Sequence, residues 1–259
     1  MKIQRIRTRG WLFTFDDIEG IYTNVYVIQG QKHYFVCDTF LGPKPMEIIK
    51  KHLYKVSEHL PFIVFNSHYH WDHIWGNCAF PDSLIISHAS AVNMINVFSE
   101  SELFKYRQYQ QGKVKIVTPN IVFKYFMAFP DEKITLFKSP GHTFDSASLF
   151  DVFDKVLYVG DNLEDPIPSL ENKDFDQYLL SIDRYENLDF KVIITGHSSS
   201  PDGISSKRLI KNNVKYIKAI MDKTDLATYQ RKKYRVMHKQ NLENLEKIGY
   251  VPLCDGDNI

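Results

Sequence analysis

The sequence predicts an α/β fold, a sheet covered by helices, and three observations carry that expectation. A strand, a helix and a second strand follow one another between His33 and Phe65, the order of a βαβ crossover. Short apolar strand-like runs then recur as far as Thr195, separated by segments that read as helix or turn. The chain has 259 residues, 44% of them hydrophobic and 24% charged, which suits one compact domain over residues 1–259 and excludes disorder as the dominant state.

The elements follow in order. Gly10–Phe15, Ile21–Gln29 and His33–Cys37 open the chain as strands. The second alternates and is rich in Val, Ile and Tyr, and Gln29-Gly30-Gln31 turns it into the third like a hairpin. Pro45 starts a helix to about Leu60, because Met46, Ile49, Leu53 and Val56 recur at helical spacing and proline suits a first helical turn. After Pro61 come the wholly apolar strand Phe62–Phe65, a histidine-rich loop and the apolar run Leu84–Ile86. Residues 91–130 carry many aromatics, among them Phe98, Phe104, Tyr106 and Tyr109, with no clean period of either kind. Strand character returns at Lys133–Lys138, Ser146–Phe150 and Val156–Val159, then a helix near Phe175–Tyr185 and the strand Lys191–Thr195. From Ser205 to Lys247 the chain reads mainly helical, so 222–259 is expected to be a short helical C-terminal extension. No internal repeat, low-complexity segment or Gly/Pro/Ser linker interrupts this order.

Charge and cysteine usage narrow the class. Lys and Arg number 32 against 31 Asp and Glu, and a chain of net charge +1 is a poor candidate for a dedicated nucleic-acid binder. The basic run Arg231-Lys232-Lys233-Tyr234-Arg235 is expected on a solvated helix face, with Glu243 and Glu246 at helical distance to neutralise much of it. Cys37, Cys78 and Cys254 are odd in number and widely spaced, as in a reducing compartment. The basic residues of Met1–Arg9 precede no apolar stretch of signal-peptide type, and no apolar run approaches the ~20 residues of a membrane span. The expectation is a soluble cytoplasmic protein with no membrane partner, monomeric or a homo-oligomer.

The histidines point to chemistry. In Asn66-Ser67-His68-Tyr69-His70-Trp71-Asp72-His73, directly after the strand Phe62–Phe65, His68 and His70 share one side of an extended segment. Asp72 and His73 follow where the chain turns into a helix. Three later strands each end in a glycine followed by His142, Asp161 or His197. Glycine permits the sharp bend and close approach there, and the carboxyl ends of strands are where α/β sheets place their crevices. Imidazole and carboxylate without thiolate suit Zn, Mn or Fe. Five His and two Asp exceed one ion and match two with a shared carboxylate, a pair that can hold a bridging hydroxide as nucleophile. His33, His52, His59, His88 and His238 stand apart and read as surface or hydrogen-bonding residues.

His68-Tyr-His70-Trp-Asp72-His73 resembles the HxHxDH signature of the metallo-β-lactamase superfamily, and Pro140-Gly-His142, Gly160-Asp161 and Gly196-His197 resemble its remaining metal motifs in order. The resemblance covers about residues 10–220. It implies an αββα sandwich with a metal centre at one edge of two mixed sheets. It also implies that His68, His70 and His142 hold one metal, that Asp72, His73 and His197 hold the second, and that Asp161 bridges them. Cys37-Asp38-Thr39 resembles the acidic strand end that supports a ligand from behind; the alternative for Asp38 is a turn-former after a strand. The expected cofactors are two divalent ions, zinc first, with iron or manganese as alternatives.

Asp161 and the expected lack of a signal peptide set the chain apart from true lactamases of this fold, and His70 sets it apart from the flavin-linked di-iron reductases, which carry Glu there. The set is similar to glyoxalase-II-like thioester hydrolases and N-acyl-homoserine lactonases. It departs from the lactonases at Glu164, where they carry Tyr, and from glyoxalase II in the roughly 50 residues after Ser205, too few for its larger helical part. The aromatic stretch 91–130 lies where family members insert a lid; core packing and an oligomer interface are the other readings. Trp71 and Trp75 flank the metal loop as pocket wall, or Trp75 as core. The expected activity is hydrolysis of an ester, thioester or lactone of a small molecule, with Asp72 passing the proton. The rivals are a phosphodiesterase or nuclease, a mononuclear-iron sulfur dioxygenase and a non-catalytic ligand sensor.

Overall fold

Alternation with period two sorts the apolar strand residues into two faces, both buried. Phe13, Phe15, Val25, Val27, Tyr34, Val36, Phe62 and Val64 point one way, and Leu12, Tyr26, Ile28, Phe35, Cys37, Ile63 and Phe65 the other. A sheet buried on both faces needs a layer on each side. The computed structural model, which describes residues 1–198 and 206–250, supplies them. Cys254 and the last part of the expected C-terminal extension lie outside the described residues.

The first sheet has the order β1 (Lys2–Ile6), β2 (Gly10–Ile18), β3 (Ile21–Gln29), β4 (Tyr34–Cys37), β5 (Phe62–Phe65), β6 (Leu84–His88) and β7 (Ile121–Phe123). It is antiparallel from β1 to β4 and parallel from β4 to β7. The second sheet contains β8 (Phe126–Phe129), β9 (Ile134–Lys138), β10 (Ala147–Asp151), β11 (Val156–Tyr158) and β12 (Val192–Ile194), neighbours in that order, with only β11 and β12 parallel. Leu136, Leu149, Val156, Tyr158 and Ile194 meet the inner face of the first sheet.

Helices close both outer faces. α1 (Pro43–Val56) lays Met46, Ile49 and Leu53 on the first sheet, joined there by Ile74 of α2 (Trp71–Ile74) and Ile95 of α3 (Ala89–Lys105). α4 (Phe175–Glu186), α5 (Ser206–Asp222), α6 (Leu226–Tyr229) and α7 (Arg235–Lys247) pack over Phe137, Leu157 and Ile193 of the second sheet. The result is the expected αββα sandwich. No helix among the described residues is long and apolar enough to cross a membrane.

Three local readings change. β1 is a strand that the sequence did not announce, because Lys2 and Gln4 give an edge strand no apolar alternation. The segment 91–130 contributes α3 and one edge strand to each sheet, β7 and β8. Its period was hidden because α3 has no single apolar face: Ile95 is buried while Phe104 is 72% exposed. The basic run is mostly exposed as expected, but only Arg235 lies on a helix; Arg231–Tyr234 form the turn into α7, and Glu243 pairs with Lys239 at 3.7 Å.

Candidate metal centre

Four strand ends converge. β5 runs into Ser67-His68, His70 caps the N-terminus of α2, and Asp72 and His73 sit on that helix. The chain beyond β9 carries His142, the turn Gly160–Asn162 after β11 carries Asp161, and the chain beyond β12 carries His197. Backbone bonds lace these ends together: Ala147 N–H to Ser67 O, Gly196 N–H to Gly160 O and Asn24 N–H to Gly196 O. Two glycines are required by this closeness. Gly160 has φ +54° and a Cβ there would lie 2.5 Å from Ser67 Oγ; a Cβ on Gly196 would lie 2.1 Å from Asp161 Oδ1.

The structure brings all seven expected residues together. Asp161 Oδ2 lies 3.3 Å from Nε2 of His73 and of His197, 3.6 Å from His68 Nε2 and 3.9 Å from His142 Nε2. His70 Nδ1 is 3.1 Å from His68 Nε2 and 3.2 Å from His142 Nε2. Asp72 Oδ2 is 3.4 Å from His197 Nε2 and 3.7 Å from His73 Nε2. Two groupings with metal-ligand geometry result, His68, His70, His142 and Asp161, and Asp72, His73 and His197. Asp38, His68 and His73 are equally close, but Asp38 is occupied by protein donors.

The outer nitrogens set the tautomers. Nδ1 of His73 faces the Asp38 carboxylate at 2.8 Å, Nδ1 of His142 faces Ser169 O at 3.1 Å, and Nδ1 of His197 faces Tyr22 O at 2.9 Å. Nε2 of His70 faces the Glu171 carboxylate at 3.2 Å. Carbonyls and carboxylates only accept, so each of these nitrogens carries the proton. His68 Nδ1 faces Ser67 Oγ at 3.0 Å, and that hydroxyl already donates to Asp38, so it receives from His68. In the neutral imidazoles the five inner nitrogens are therefore lone pairs, aimed at one another and at two carboxylates. Asp161 Oδ1 is also buried with no hydrogen-bond partner among the described residues. Buried acceptors that face one another are unfavourable until protons or metal ions pair with them.

The ionisation of the groups shows the same demand. Burial opposes the cationic form of His73, yet Asp161, Asp72 and Asp38 outweigh it and raise its pKa well above the usual value. His197 is raised by Asp161 and Asp72, again against burial. Asp161 is held well below the carboxylate range by His197, His73 and His68, although burial works the other way. Imidazole and carboxylate donors without thiolate fit divalent metal ions in the place of those protons.

Residues 18–197 match the metallo-beta-lactamase superfamily. The chain belongs to that superfamily. A metallo-beta-lactamase from Pontibacter korlensis shares the fold at 16% identity and a TM-score of 0.66, over 84% of this chain and 98% of that one. One from Hirschia baltica aligns at 16% identity and a TM-score of 0.63, over 83% and 96%. The DIM-1 metallo-beta-lactamase aligns at 18% identity and a TM-score of 0.61, over 84% and 96%. A search of curated protein sequences finds no match. Superfamily membership together with this donor set makes the protein a metallo-hydrolase.

Around the candidate metal centre, Asp38 is buried and accepts from Ser67 N and Oγ, His73 Nδ1 and Tyr158 OH at 2.6–2.8 Å. It touches two imidazoles, one directly and one through Ser67. Sequence reasoning missed Glu171, Ser169 and Tyr158, which lie in no motif; only Ser67, adjacent to His68, had a local signal. Trp75 is core, whereas Trp71 stacks on Tyr106 at 4.4 Å and Tyr69 meets Phe98 at 5.7 Å. Residue Gln111 bonds to Leu41 O and Lys44 N–H at the start of α1, so this part of 91–130 is tied to the body. The other five histidines keep to separate places: His33 on Glu132, His52 against Trp11, His59 on Tyr54, His88 on Lys124 O and His238 on Tyr216.

Proposed function

We propose that the protein is a dinuclear metal-dependent hydrolase that cleaves an ester, thioester or lactone bond of a small molecule. The observation that carries this reading is the set of five inward imidazole nitrogens around Asp161. His68, His70 and His142 would hold one divalent ion and Asp72, His73 and His197 the second, with Asp161 reaching both. Such ions, zinc or else iron or manganese, supply Lewis acidity and lower the pKa of water. Asp161 fixes the spacing of the two groups, and Asp72, at the more open side of the centre, is placed to accept and pass a proton.

The electrostatics favour an acyl substrate over a phosphodiester. The strongest charges acting on the seven residues belong to other His, Asp and Glu, and no lysine or arginine among the described residues is prominent there. Glu171, partly exposed beside His70, adds negative charge. A phosphate diester carries a negative charge that basic side chains often share with the metals, whereas a neutral carbonyl carries none. Cys37 and Cys78 are free thiols among the described residues, which supports a reducing compartment such as the cytoplasm. The shared core of α4, α5 and α7 supports one domain through the last described helix.

The test sets metal-reconstituted protein on chromogenic esters, thioesters and lactones against chromogenic phosphodiesters, with Asp161→Asn as control. Acyl turnover that the substitution abolishes, along with lower metal content, is expected. Turnover of phosphodiesters alone, or full activity in Asp161→Asn, overturns the reading.

A further inference from the structure

One loop joins the centre to helices that lie beyond residue 197, where the family match ends. Residues 164–171 face the centre with two grips on imidazole. The Ser169 carbonyl accepts the His142 Nδ1–H at 3.1 Å, and the Glu171 carboxylate accepts the His70 Nε2–H at 3.2 Å. Glu171 N–H also donates to His142 O at 3.2 Å. Inside the loop, Ser169 N–H donates to Glu164 Oε1 at 3.3 Å.

Two fully buried amides hold the loop from the opposite side. Asn213 of α5 accepts from Glu164 N–H at 3.0 Å and donates to Glu164 O at 2.8 Å. Asn241 of α7 accepts from Leu170 N–H at 2.9 Å and donates to Pro168 O at 2.8 Å and to Tyr216 Oη at 3.0 Å. Both side chains use every donor, Asn213 placing its second N–H on Leu209 O. If these positions only filled the core between α5 and α7, an aliphatic side chain would serve without the cost of desolvating an amide. A planar amide that donates to and accepts from the same stretch of backbone instead fixes its position and rotation. The polarity of these two residues is therefore explained by the loop.

We propose that Asn213 and Asn241 are positioning residues for the metal centre. They set residues 164–171 so that Ser169 and Glu171 aim the free nitrogens of His142 and His70 at a common ion. This rests on the metal-dependent reading above. The effect is confined to the His68, His70 and His142 group, because His73 and His197 are oriented from elsewhere, by Asp38 and the Tyr22 carbonyl.

The test titrates zinc into the full-length metal-free protein against a chromophoric chelator, for wild type, Asn213→Leu, Asn241→Leu and Leu245→Ala. Leu245 is a buried apolar residue of α7, so its truncation weakens the helix packing through a cavity alone. In each asparagine variant one zinc equivalent is expected to weaken about 10–100-fold while the other is unchanged. Leu245→Ala is expected to melt lower and bind both equivalents like wild type. Wild-type zinc binding in the asparagine variants overturns the proposal, as does equal weakening in Leu245→Ala. Where Asn241→Leu does not fold, Asn241→Asp keeps an acceptor for the Leu170 N–H and must still show the selective loss. A single equivalent in wild type would remove the dinuclear reading, and the same comparison on that one ion would still decide this proposal.

Discussion

Replacing Asp38 by asparagine is the most informative perturbation of the centre, because the change is isosteric and the consequences can be counted. Asp38 sits at φ +60°, a conformation asparagine tolerates, so the backbone itself is not put under new strain. Its Oδ2 accepts from Ser67 Oγ, His73 Nδ1 and Tyr158 OH, and its Oδ1 accepts from Ser67 N–H. An amide can present oxygen to only one of these sides. With oxygen toward the three donors, the new NH2 meets the Ser67 N–H and leaves a buried donor unpaired, which costs about 1–3 kcal/mol. The three remaining bonds lose their charge assistance, about 1 kcal/mol each. A loss of roughly 4–6 kcal/mol corresponds to a fall of roughly 10–20 °C in melting temperature for a chain of this size. Zinc binding should weaken about 10–100-fold, since His73 loses the anion that holds its ring. Calorimetric melting of the metal-free protein and zinc titration read the two effects separately. A variant that melts within about 2 °C of wild type and binds zinc normally would refute the reasoning and leave Asp38 as a replaceable turn residue.

Gly196→Ala places a methyl group 2.1 Å from Asp161 Oδ1 and 2.8 Å from His73 Cε1, so turnover should fall on the order of 100-fold or more with circular dichroism unchanged; near-normal turnover would show that the contact relaxes freely. Removal of metal by a chelator should lower the melting temperature, because an ion bound only by the folded state stabilises it; identical melting curves with and without chelator would count against a built metal site. His238 is buried and its pKa is lowered by burial, so its folded form resists protonation. The unfolded chain therefore takes the proton first as pH falls below about 6.5, and stability is lost there and fully present above it. Relative to wild type, His238→Asn should lose this dependence below about pH 6.5, worth at most about 1.4 kcal/mol per pH unit; parallel stability curves for the two proteins would exclude it.

Much of the fold was legible because its signals are local. Phe62–Phe65 reads as a strand from four apolar residues between Pro61 and a turn, and the structure has it with the same limits. Met46, Ile49 and Leu53 announced α1 by helical spacing and are all buried in it. Where one residue serves two neighbours the signal failed. β1 is an edge strand with charge on its open side, and α3 shows apolar side chains to the sheet and outward alike. β7 and β8 are short edges whose pairing depends on sheets built from distant segments.

The centre divides along the same line. His68, His70, Asp72, His73, His142, Asp161 and His197 could be chosen from sequence, because a strand end followed by glycine and a ligand is a pattern within a few residues. Their convergence on Asp161 follows from the stacking of two sheets. Which nitrogen of each imidazole carries the proton was decided only by tertiary structure, through partners such as Asp38 for His73 and Glu171 for His70. Asn213 and Asn241 had no signal at all: their partners in the loop lie 49 and 71 to 73 residues away along the chain. Sequence periodicity reports which face of an element is buried, because burial repeats with the backbone. A single buried hydrogen bond has no period, so only the folded chain reveals its partner.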